Sequence, residues 1–178
     1  MTKTVWTVDH VHSEVGFSVK HMMISKAKGT FEKFDAVIEA DLENLANANI
    51  EVKVETASIN TRNEDRDNHL RSGDFFDSEN FPHMTFKATD VQKVNEEDYK
   101  VSGNLTIKET TKPVTLDVTF EGVSKNPMTS ATTAGFSGST VINRKEFGLT
   151  WNAAVETGGV LVGEDVKINF ELEVYQEA

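Results

Sequence analysis

"VKINFELEV", residues 166–174, puts Val166, Ile168, Phe170, Leu172 and Val174 on one parity and Lys167, Asn169, Glu171 and Glu173 on the other. A period of two is the mark of a half-buried strand, whose successive side chains point to opposite faces. The same alternation recurs at Val15, Phe17 and Val19, at Ile50, Val52 and Val54, around Gly103 from Tyr99 to Ile107, and from Val114 to Phe120. With 31–41, 84–94 and 136–144 added, the chain offers about eight or nine long strands between polar and glycine-bearing turns. Strands with one wet face must hide the other, and several of these reach about ten residues, long for a sandwich. Closure hides the apolar face and removes the exposed edges together. The expected fold is all-β: one extended antiparallel barrel of about eight strands, wide enough for side chains or one ligand.

The 178 residues suit one domain spanning 1–178, and no repeat, low-complexity tract or linker-like shift divides them. The net charge of -11 repels phosphate backbones and anionic membrane surfaces, so no nucleic-acid partner is expected. With no cysteine there is no disulfide, thiolate nucleophile or cysteine metal site. No apolar run has the length of a signal peptide or a bilayer span, so a cytoplasmic protein without stable membrane insertion is expected.

The stretch 59–86 reads two ways at once. Its first half carries Glu64, Asp65, Arg66 and Arg71; its second gathers Phe75, Phe76, Phe81 and Phe86. A short helix capped by Asn60 or Thr61, lying over one barrel end with its charges outward, reconciles the halves, and Pro82 then turns the chain into the next strand. Either the phenylalanines close a mobile lid over a ligand or they plug the barrel end as core.

"WTVDHVHSEVGFSVKHM" (6–22), "KGTFEKFDA" (28–36), "TRNEDRDNHLRSGDFFDSENFPHMTF" (61–86), "VSGNLTIKETTKPVTLDVTFEG" (101–122) and "INRKEFGL" (142–149) together resemble the YceI-like, polyisoprenoid-binding family over nearly the whole chain. The resemblance implies a lipocalin-like barrel holding a long-chain amphipathic lipid, typically an isoprenoid, and is compatible with a homodimer. Many members of that family are exported, whereas this sequence shows no secretion signal. Glu109 stands where a glycine is common, which reads as a turn variation.

The expected ligand-binding residues are Phe17, Val19, His21, Met22, Phe31, Phe34, Phe75, Phe76, Met84, Phe86, Phe136, Arg144 and Trp151. Aromatic side chains on inward parities offer large apolar area to a chain-like ligand. His21 continues the inward parity of Val19, toward the barrel mouth. Arg144 falls on the inward side after Ile142, so it is expected to meet a carboxylate such as Asp67 or an anionic ligand head. His10 and His12 share one strand face, on the wet side with no third ligand in view, so no metal site is expected. Ser13 lacks a nucleophile-elbow pattern, and Asp65, Asp67, Asp74 and Asp77 read as a solvated helix face. The expectation is a non-enzymatic carrier or store of an apolar lipid, quinone-like or polyprenyl, with no other cofactor. An enzyme of hydrolase or isomerase type in the same pocket, or a ligand-free interaction barrel, stays open as an alternative.

Overall fold

The computed structural model describes residues 3–152 and 162–176. Its strands are β1 (Thr4–Val8), β2 (Glu14–His21), β3 (Ser25–Phe31), β4 (Phe34–Ala40), β5 (Asn49–Glu55), β6 (Ile59–Asn60), β7 (His83–Lys93), β8 (Asp98–Ile107), β9 (Thr110–Lys125), β10 (Thr132–Asn143) and β11 (Val162–Gln176); helix α1 spans Glu64–Arg71 between β6 and β7. Strands β1, β4, β5, β7, β8, β9, β10 and β11 pair antiparallel in that order, and β1 returns to β11 through Thr7–Tyr175 and Val8–Val174. This is the closed eight-stranded barrel that the alternating pattern implies.

Three further segments continue barrel strands past bends. A one-turn 3-10 helix, His10–His12, separates β1 from β2, and another, Thr56–Ser58, separates β5 from β6; Glu32 and Lys33 part β3 from β4. The flap β2–β3–β6 extends the sheet from the upper part of β11. The expected single strand over 31–41 is therefore broken after Phe31, and β1 and β3 are additional strands. Their short runs, "TVWTV" and "SKAKGTF", show too little alternation to mark them.

Helix α1 forms where a helix was expected, but its cap is Asn63, whose side chain accepts from Arg66 N at 3.1 Å. Thr61 does something else. Its backbone N–H and hydroxyl both donate to Asp67 Oδ1 (2.8 and 2.5 Å), while Arg66 donates through Nε to Thr61 Oγ1 (2.8 Å) and through Nη2 to Thr61 O (2.7 Å). Arg71 donates to the carbonyls of Ala57 and Ile59. The charged half of this stretch thus lashes the helix to β6, and Asp67, only 7% exposed, has its carboxylate held by both Thr61 donors within that lashing.

Glycines shape the wall. Gly29 lies directly across from Phe17 and Gly138 across from Phe170, and Gly103 is diagonal to Phe86. A Cβ at Gly29 or Gly103 would sit 2.6 Å from the Cζ of Phe17 or Phe86, and one at Gly138 would sit 2.8 Å from Phe170 Cε1. Each ring therefore lies flat over a glycine instead of reaching across the barrel. At the β8–β9 turn the positive φ falls on Lys108 (57°), so a glycine would relieve strain there and not at Glu109.

Candidate ligand-binding site

Inside the barrel is a cavity of about 180 Å³ whose wall exposes carbon only. It runs from Phe34, Val54, Met84 and Phe86 down to Leu45 and Tyr99, with Val114, Leu116, Phe136, Ile168 and Phe170 closing the far side. Apart from Leu45 and Ala48, which come from the turn before β5, and Thr85, strand parity turns these wall residues inward. Many of them, including Val52, Leu116, Ile168 and Phe170, are only half-buried although they point away from bulk solvent, because they face open space. Interiors are normally close-packed, so such a void marks a place for something else.

Of the expected residues, Phe34, Met84, Phe86 and Phe136 line this cavity. Phe17, Phe31, Phe75, Phe76 and Trp151 do not. They form aromatic chains under α1: Phe17 to Phe31 (5.6 Å between ring centres), Phe31 to Phe76 (5.8 Å), and Phe75 to Trp151 (5.5 Å). His69 joins the second chain edge-on, 5.1 Å from Phe75 and 4.6 Å from Trp151, and bonds Asp74 Oδ2 at 2.8 Å. Val19 and His21 end β2 beyond the cavity, and Met22 stands outside the barrel in the β2–β3 turn, 40% exposed. The wall residues absent from expectation, such as Ala36, Val52, Leu116 and Phe170, carry the same inward parity, which marks aliphatic and aromatic residues alike.

Arg144 departs from both expectations. It opens a 3-10 turn, Arg144–Phe147, is 3% exposed, and meets neither Asp67 nor the cavity. Its guanidinium donates to Gly163 O (2.7 Å), Leu149 O (2.5 Å), Trp151 O (2.9 Å) and Val162 O (3.2 Å). Burial pushes its pKa down, while the charge of Glu164 opposes this. The planar fork satisfies four carbonyls at once, which a carboxylate partner could not supply. Asn152 completes the clasp, donating Nδ2 to Val162 O at 2.7 Å and accepting from Val162 N at 3.1 Å. Together these residues join the chain at 149–152 to the start of β11.

His10 and His12 occupy a turn, not a strand face, and have different partners. His10 Nε2 lies 2.8 Å from Phe34 O. His12 Nδ1 lies 2.8 Å from Asp9 Oδ2 and 3.1 Å from Glu173 Oε2, so the third group near it comes from β11 and is invisible in local sequence. Asp9 also caps the turn through Val11 N (3.0 Å), and its hydrogen bond with His12 raises the His12 pKa and lowers that of Asp9. Capping and ion pairing account for the three groups. Ser13 Oγ exchanges hydrogen bonds with the backbone of Glu173, which fixes β11 and leaves the hydroxyl without a histidine base. Asp67, Asp74 and Asp77 are each held by a different neighbour, Thr61, His69 and Asn80.

A model of the YceI-like domain matches residues 6–174, nearly the full length of this barrel. The chain belongs to the YceI-like family. A UPF0312 protein of Staphylococcus aureus is 44% identical over 170 residues, covering 96% of each chain. Among solved structures, BcnA of Burkholderia cenocepacia is similar with a TM-score of 0.81 and 26% identity, over 93% of this chain and 98% of that one. A polyisoprenoid binding domain from Saccharophagus degradans shares the fold, with a TM-score of 0.72 at 14% identity over 96% and 97% of the two chains. This YceI-like barrel thus has its cavity walled by the strands and the short turn at Leu45–Asn47, with α1 and its aromatic chains set beyond the wall.

Proposed function

We propose that this YceI-like protein binds, and so stores or transports, a long-chain apolar lipid of isoprenoid type in the barrel lumen, without a chemical step. One observation carries the reading: a cavity inside a closed barrel whose wall offers carbon alone. Such a wall cannot orient a polar group for catalysis, but it gains about 0.8 kcal/mol for each methylene removed from water. About ten methylenes are then enough for useful affinity after association costs. Specificity in the lumen is by length and thickness, because no hydrogen-bonding group there distinguishes one hydrocarbon from another. The polyisoprenoid binding named for the Saccharophagus degradans domain agrees with this reading.

The test is extraction with apolar solvent, followed by mass spectrometry, of protein purified from its own host. A retained hydrocarbon-rich molecule, recovered unchanged after incubation, supports binding. Conversion of that molecule by the protein would make it an enzyme. No retained molecule, and no uptake of a fluorescent lipid, would leave an interaction barrel.

A further inference from the structure

The tip of the β2–β3 hairpin contradicts the chemistry of the surface around it. Ile24 N donates to His21 O at 3.2 Å, closing a four-residue turn whose central residues, Met22 and Met23, have φ of 53° and 63°. Two successive positive φ values with that bond are the pattern of a type I′ turn, which favours Asn-Gly. Here it holds two methionines followed by Ile24, at 40%, 53% and 82% exposure. Backbone strain and solvent exposure both argue against apolar residues at this place, so their presence calls for another reason.

Directly behind the tip the surface is positively charged. Lys20 and Lys26 are paired across β2 and β3, and one step further Ser18 is flanked by Lys28 on β3 and Lys167 on β11. Paired residues share a sheet face, so these four lysines form one outer patch, and all four are exposed. None of the described carboxylates forms an ion pair with them, in a chain holding 29 acidic and 18 basic residues. Like charges directly opposite each other are unfavourable unless something anionic is brought to them.

We propose that the Met22–Ile24 tip dips into the surface of an anionic lipid bilayer while Lys20, Lys26, Lys28 and Lys167 engage its head groups. The geometry matches the depth of the interface. At about 3.3 Å per residue, Lys20 and Lys26 lie one pair behind the pair that closes the turn, and Lys28 lies two residues further back. Apolar groups reaching about 5–10 Å below a plane of bound cations is the arrangement of reversible interfacial anchors. An acidic protein partner would use the lysines but leaves the exposed Met-Met-Ile tip without a role. The overall charge of -11 repels an anionic surface at long range, but screening over about 8 Å leaves the local patch to decide at contact. The proposal goes beyond lumen binding and stands without it.

Cosedimentation with vesicles of phosphatidylcholine, with and without phosphatidylglycerol, tests it. The protein should pellet with the mixed vesicles and not with phosphatidylcholine alone, and added salt should weaken this. Lys20→Gln with Lys26→Gln should weaken binding about thirtyfold, at about fivefold for each lysine near the surface. Met22→Asn with Met23→Gly and Ile24→Ser suits the turn better, so it should raise the melting temperature by about 2–4 °C while abolishing sedimentation. A gain in stability with loss of binding separates docking from a folding defect. The proposal is overturned by failure to pellet with mixed vesicles, by equal binding to both vesicle types, or by a tip variant that binds as well as the parent. Retention on immobilised polyglutamate without vesicle binding would also overturn it, in favour of an acidic protein partner.

Discussion

Ala36→Leu gives opposite results for an open lumen and for a packed core. Ala36 lies on β4, points into the cavity and is half-buried. An apolar void of about 180 Å³ costs a protein up to about 4 kcal/mol at roughly 24 cal/mol per Å³, so part of that loss is recoverable by filling it. Leucine adds three carbons, worth about 2.4 kcal/mol at roughly 0.8 each, less about 0.5–1 kcal/mol of rotamer entropy. The net gain of about 1.5 kcal/mol raises the melting temperature of lipid-free protein by about 3–6 °C. The same three carbons exclude an equal length of ligand, and losing about 2 kcal/mol of burial weakens affinity about thirtyfold. Scanning calorimetry of delipidated protein and displacement of a fluorescent lipid measure the two effects. In a packed core the substitution instead overpacks and costs about 1–3 kcal/mol. A lower melting temperature together with undiminished binding would refute the open lumen.

Arg144→Met removes the guanidinium donor from four backbone carbonyls, of which Val162 O keeps Asn152, and should cost at least about 3 kcal/mol in thermal or urea unfolding. It should leave the ratio of affinities for anionic and neutral lipids of equal chain length unchanged; a selective loss for the anionic lipid would restore a head-group role. The raised pKa of His12 makes stability depend on pH: its contact with Asp9 is fully expressed below the ordinary histidine pKa of about 6.5 and fades as pH rises through the folded value. His12→Gln should flatten that alkaline decline in melting temperature, and an unchanged slope would show that the pair contributes nothing. Because Thr61, Asp67, Arg66 and Arg71 lash α1 to β6, its amides should exchange slowly and be indifferent to lipid, with Phe75→Ala lowering stability by about 3–5 kcal/mol. Exchange in α1 that slows on lipid addition would make the helix a gate.

Parity made the barrel legible because every wall strand must turn apolar residues inward, and long strands such as β11 repeat that constraint many times. The bends were not legible, because a break between Phe31 and Phe34 depends on which neighbour each half pairs with, β2 and β6 on one side and β1 and β5 on the other. Parity also says only that a side chain faces inward, not whether it meets a partner or a void. Phe17 and Phe86 look alike in sequence, each lying over a glycine, yet Phe86 borders the cavity and Phe17 packs on Phe31. Arg144 was misplaced for a related reason: its four acceptors are backbone carbonyls, which every residue carries, so no pattern of side chains announces them.

One way into the lumen is a seam in the barrel wall. Pairing of β9 with β10 stops at Asp117–Ser139, although β9 extends back to Thr110 and β10 runs on to Asn143. Across the unpaired stretch Thr140 Oγ1 donates to Thr115 O at 2.9 Å, a single side-chain bond in place of a ladder. A second pocket, bordered by Lys112, Asn143 and Glu146, opens there, and it shares Val114 and Thr140 with the lumen. A polar vestibule leading to a carbon-walled cavity suits a chain with a wet head. The absence of cysteine from the protein permits a direct test. Leu116→Cys with Thr140→Cys places two thiols at the next register position beyond the last pair, within reach of a disulfide if the strands stay close. Once thiol titration confirms the bond, uptake of a fluorescent lipid should slow about tenfold or more and recover on reduction, because closing the seam acts on the rate of passage. Uptake at the parent rate with the bond intact would exclude this route and return attention to the helix end.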